Sequence, residues 1–133
     1  MIGRIYSVDD FNRTLPFVSS VVRDIRCALQ QLRAELEELG ISRDDQNLDS
    51  VEFLRLLPWE TRERVEEVRD WITELEDLGR LLKSAETGLV EAYGELDGEI
   101  VFLSWMPGEE EVGFWHDLRV SWRQRRPLQV LVA

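Results

Sequence analysis

The chain has 133 residues, 44% of them apolar and 32% charged, a composition that excludes intrinsic disorder and fits one folded domain with a densely charged surface. Its formal net charge of −11 repels polyanions, so nucleic acid and anionic membranes are poor candidates for its main partners. The lone Cys27 excludes an internal disulfide and a cysteine-rich zinc site. Together with the lack of a signal-peptide core or a membrane-length apolar run, it points to the cytoplasm.

Taken in chain order, residues 2–6 are rich in β-formers and predict a short strand. Ser7 and Asp10 then stand at capping-box spacing and open a helix. Pro16 lies inside the apolar pattern that follows, which predicts a kink or a restart near Thr14. From Val18 the apolar residues recur at Val21, Val22, Ile25, Ala28, Leu29, Leu32, Leu36 and Leu39, a stripe of helical period that Gly40 ends. Residues 41–47 are polar and read as a connection, and residues 48–57 as a short helical turn before Pro58.

A second helical stripe runs through Val65, Val68, Ile72, Leu75 and Leu82, widened by Trp71 and Leu78. The two helices should pack as an antiparallel hairpin. Both stripes are wider than a coiled-coil seam, so the sheet, a second subunit or both must cover the remainder. After Gly88 the period becomes alternating, and residues 89–93, 100–105 and 112–118 read as the strands of a meander turning at Asp97-Gly98 and Pro107-Gly108. Residues 128–132 are apolar and fit a further strand or a docking tail. The expected architecture is α+β in a single domain over residues 1–133: a long antiparallel helical hairpin at about 8–84, packed on a small antiparallel sheet at about 88–119, then a tail at 120–133.

Several of these segments carry a family resemblance. They are Tyr6-Ser7-Val8-Asp9-Asp10-Phe11-Asn12 leading to Leu15-Pro16, and a C-terminal block with Asp97-Gly98, Leu103, Trp105, Gly108-Glu109, Gly113 and Trp115-His116, ending at Pro127-Leu128. Together they resemble the uncharacterised bacterial family known as domain of unknown function 2203. The resemblance implies a shared fold and a bacterial origin, with no assigned substrate. The chain departs from the family pattern at Glu91-Ala92-Tyr93, where Asp-Phe-Pro is usual, at Ser104, where a cysteine is usual, and at Ser121-Trp122, where Gly-Phe is usual.

His116, the only histidine, is the first candidate for chemistry, because its side chain serves as base, acid or ligand near neutrality. A turn centred near Gly108 and Glu109 would pair Trp105 with Val112, Leu103 with Phe114 and Val101 with His116. Carried across the turn at residues 94–98, that register sets Glu91 opposite Val101. Glu91 and His116 would then flank the central strand on one face, close enough for their side chains to meet.

Two readings follow. His116 is either a core-edge histidine satisfied by Glu91 or by backbone, or it lines a small-molecule pocket beneath the helices with Glu91 and Arg125, where Trp105 and Trp115 offer stacking surfaces. A metal site using His116 with Glu109 or Asp117 has no signature spacing behind it. Arg119, Arg123, Arg125 and Arg126 form a basic run that either pairs with nearby carboxylates or makes a small anion patch. No motif identifies a cofactor. The leading expectation is a non-catalytic interaction or structural module that forms a homo-oligomer or binds a partner helix through its helical faces. The alternative is a ligand-binding protein or enzyme built on Glu91, His116 and Arg125, with metal assistance as an option.

Overall fold

A computed structural model of the chain describes residues 4–41 and 54–128. It is an α+β fold. Helix α1 spans Val8–Glu38 and helix α2 spans Trp59–Asp77. Strands β1 (Leu81–Ser84), β2 (Leu89–Leu96), β3 (Glu99–Trp105), β4 (Phe114–Asp117) and β5 (Arg126–Pro127) form a five-stranded antiparallel sheet in simple sequential order.

Helix α1 opens on the expected capping box, in which Ser7 Oγ accepts from the Asp10 amide at 3.0 Å and Asp10 Oδ2 accepts from the Ser7 amide. It then runs unbroken through Pro16, where the sequence predicts a kink or restart. Two side chains reinforce the turn before the proline: Thr14 Oγ1 donates to the Phe11 carbonyl and Arg80 Nη2 to the Asp10 carbonyl. Phe11, Leu15, Val18, Val21 and Val22 are buried on both sides of Pro16, so packing holds straight a helix that the missing amide alone would break.

Both helices end in the same hydrogen-bonded cap. At α2 the Gly79 amide donates to Glu76 and the Arg80 amide to Leu75, with Gly79 at φ +74°. The second helix therefore stops before Leu82, although Leu82 keeps the helical period. Residues 81–84, read from the sequence as helix, are strand β1. Arg80, just past the cap, is buried between the rings of Tyr6 and Phe11 and donates to Thr14 Oγ1, the Leu78 carbonyl and the Asp10 carbonyl. Burial pushes its guanidinium below the usual arginine range. It ties the start of α1 to the end of α2.

The β2–β3 turn is Asp97-Gly98, both at positive φ, as a two-residue hairpin requires. The expected strand at residues 2–6 lies partly outside the described residues. Residues 4–7 are not strand, and the Tyr6 amide makes one bond to the Tyr93 carbonyl. The strand expected from Val112 begins at Phe114, because the Val112 amide is taken by Asn12 Oδ1 of α1 at 2.7 Å. The expected connection at residues 41–47 and turn at 48–57 fall mostly outside the described residues, as do residues 129–132 of the tail.

The helices cover one face of the sheet. Val90, Ala92, Val101, Leu103 and Trp105 pack there with Phe11, Val18, Val22, Ile25, Val68 and Leu75. A 31-residue helix is about 46 Å long, more than such a sheet can cover. The far end of the hairpin builds a second core from Leu32, Leu36, Leu54, Leu57 and Val65, clamped by Arg64, which grips the Glu35 carboxylate with Nε and Nη2.

Candidate functional site

Glu91 and His116 meet. His116 Nε2 lies 2.5 Å from Glu91 Oε2, and each residue is 3% exposed. The register that joins them differs from the expected one: Glu91 stands opposite Ser104, and His116 opposite Phe102. The pair therefore shares its face with Tyr93, Phe102, Ser104 and Phe114. Leu103 and Trp105 point to the other side of the sheet. The Glu91–His116 pair lies on the face turned away from the helices, not beneath them.

That face has polar groups at its centre and rings around them. Tyr93 stacks on Phe102 at 4.8 Å, and Phe102 lies 5.3 Å from the His116 ring. The Lys83 ammonium sits over Phe102 and the Arg125 guanidinium over Phe114, at 4.8 and 4.0 Å. Ser104 is fully buried in the row between Glu91 and Phe114, and its Oγ is the one buried side-chain polar atom among the described residues with no hydrogen-bond partner.

The hydrogen bonds restrict what His116 can do. Its Nδ1 faces the Asp117 carbonyl at 2.9 Å, which only accepts, so Nδ1 carries a proton. Its Nε2 faces the Glu91 carboxyl, and one proton is shared along that contact whichever atom holds it. Neither ring nitrogen is left to take a proton from Ser104 or to bind a metal, so the serine, histidine and glutamate do not form a nucleophile, base and orienting acid. The geometry makes the pair a strut that ties β2 to β4 across β3.

The other residues singled out in the sequence go elsewhere. Arg125 forms a two-point ion pair with Glu109, Nη2 to Oε2 at 2.6 Å and Nη1 to Oε1 at 3.2 Å. Glu109 also accepts from the Met106 amide with Oε1 and from Trp105 Nε1 with its carbonyl, so it closes the β3–β4 loop. Trp105 and Glu109 border a shallow cleft of about 470 Å³ against Asn12, Leu15 and Pro16 of α1. Trp115 lies on the helix side and packs against the main core, with Arg126 at 5.9 Å from its ring. Asp117 faces away from His116 and accepts from the Arg119 amide. Among the described residues no three His, Cys, Asp or Glu side chains come together as a metal site would need.

A helical hairpin on one face of a five-stranded antiparallel meander, with a buried histidine–glutamate strut on the other, defines an α+β protein whose polar core is closed. The family model described as an uncharacterized conserved protein, DUF2203, matches residues 4–128. The chain belongs to that family. No curated protein and no solved structure matches it. No helix among the described residues is long and apolar enough to cross a membrane.

Proposed function

We propose that this is a non-catalytic interaction module of the bacterial cytoplasm, which pairs with a second copy of itself through the end of the helical hairpin that overhangs the sheet. The observation that carries the proposal is the exposure of large apolar side chains at that end: Leu56 is 82% exposed, Trp59 62% and Leu39 45%. They neighbour in sequence the residues of the second core, Leu36, Leu54 and Leu57, and a self-complementary apolar patch is what a two-fold dimer uses. The competing reading, a ligand pocket at Glu91, His116 and Arg125, has less support. Both nitrogens of His116 are engaged, Arg125 is bound to Glu109, and neither described cleft reaches Glu91 or His116.

Sedimentation equilibrium tests the proposal. The wild type should be a dimer, and the double variant Leu56→Asp, Trp59→Ala should sediment as a monomer with an unchanged circular dichroism spectrum. A wild type that stays monomeric at the highest attainable concentration ends the proposal.

A further inference from the structure

Helix α1 carries a basic cluster beside its apolar stripe. Arg23, Arg26 and Arg33 line a cleft of about 540 Å³ together with Ser19, Cys27, Gln30 and the β1–β2 turn at Ala85 and Glu86. That volume suits a small molecule.

The charge arrangement is unusual for this chain. Arg23 and Arg26 are neighbours at i and i+3, a like-charge pair that weakens a helix. Neither has a carboxylate three or four residues away: Ser19, Ser20 and Cys27 flank Arg23, and Val22, Leu29 and Gln30 flank Arg26. Carboxylates are plentiful, 27 against 16 lysines and arginines, yet α1 places its own at Asp9, Asp10, Asp24, Glu35, Glu37 and Glu38, outside the cleft. By comparison, half-buried Arg64 is held by the Glu35 carboxylate at 2.9 Å.

Within the cleft, Arg26 Nη2 donates to the Glu86 carbonyl at 3.1 Å, which fixes that guanidinium against the wall without neutralising it. Arg33 reaches the Glu86 carboxylate only at 3.9 Å. Arg23 has no hydrogen-bond or ion-pair partner among the described residues. The lining thus holds three positive groups against one negative one in a molecule of net charge −11.

We infer that this cleft is a binding site for a small phosphate-bearing anion, gripped by the guanidinium groups of Arg23, Arg26 and Arg33, with Ser19 and Gln30 as neutral hydrogen-bond donors. Planar guanidinium groups present paired donors to phosphate oxygens, and a cluster of three compensates a dianion as isolated surface charges do not. The site is separate from the hairpin end proposed above as the self-association surface, so either assignment stands without the other.

Cys27 provides the readout, because it is the only cysteine, is exposed and lines the cleft. The experiment follows the alkylation rate of Cys27 by neutral iodoacetamide in the full chain, with inorganic pyrophosphate as the probe and sodium chloride at matched ionic strength as the control. Pyrophosphate should slow the reaction saturably, by about tenfold at about ten times its Kd, with the chloride control unchanged. The double variant Arg23→Gln, Arg26→Gln should lose the protection. Both positions are exposed on the helix, and thermal melting confirms that the variant is folded. Equal slowing by chloride, full protection in the folded double variant, or no slowing at up to about 10 mM pyrophosphate would each overturn the assignment.

Discussion

At the scale of single residues, Glu91 and His116 are charged-type side chains closed into a sheet face, and what each substitution leaves behind decides its cost. Glu91→Ala strands a buried histidine nitrogen and should cost about 3 kcal/mol in urea denaturation, as breaking one side of a buried pair does. Glu91→Gln keeps a donor for Nε2 and should cost only about 1 kcal/mol. Equal losses for the two variants would show that side-chain volume, not the polar contact, is what matters.

Ser104 behaves in the opposite way. Its hydroxyl is buried with no partner, so Ser104→Ala should be neutral or stabilising by about 1 kcal/mol. Ser104→Cys should do at least as well, since a thiol tolerates an unpartnered buried position better than a hydroxyl. A loss above about 1 kcal/mol in Ser104→Ala would mean that the hydroxyl has a partner.

The meeting of Glu91 with His116 was legible in the sequence, although the register was not. The expected partner of Glu91 is displaced by three residues along β3, and that of His116 by one. Both shifts are odd, so each swaps the faces of β3 while β2 and β4 keep the same relation to one another. The same swap moved the pair to the side away from the helices. That side could not be read from alternation alone, because the true strand boundary depends on Asn12, far off in sequence, capturing the Val112 amide.

At the scale of elements, the most legible signals were local ones. The capping box, the helix stop at Gly40 and the Asp97-Gly98 turn are each written in a few adjacent residues. The capping box has a pH signature. Hydrogen bonds from the Ser7 amide and then its hydroxyl, helped by Arg13, hold the Asp10 carboxyl below its ordinary value of 3.8. A carboxyl lowered on folding stabilises the fold above its unfolded value and loses that contribution as pH falls through the folded one. Asp10→Asn should therefore be less stable than the wild type at neutral pH, and the gap should narrow as pH drops below about 4. Urea midpoints at pH 7 and pH 3 measure it, and a gap that widens at low pH contradicts the assignment. What local signals missed were long-range effects: Pro16 held inside a helix by the core on either side of it, and Leu82 on the helical period but beyond a glycine that had already ended the helix.

At the scale of the whole molecule, the two proposed surfaces differ in charge and should respond to salt in opposite directions. Two copies of a chain with net charge −11 repel at long range, while the apolar patch of Leu39, Leu56 and Trp59 draws them together at contact. The screening length is about 10 Å at 0.1 M salt and shrinks to about 3 Å at 1 M. Sodium chloride thus removes the repulsion and leaves the apolar attraction intact. Self-association measured by sedimentation should tighten several-fold between about 0.05 and 0.5 M salt. Protection of Cys27 by pyrophosphate rests on attraction between opposite charges, so it should weaken over the same range. Dimerisation that instead weakens with salt would place the contact on charged groups, the Arg23, Arg26 and Arg33 face of one copy against an acidic face of the other. The arginine-lined cleft would then serve the protein's own surface rather than a small anion, and pyrophosphate would dissociate the dimer as it protected Cys27.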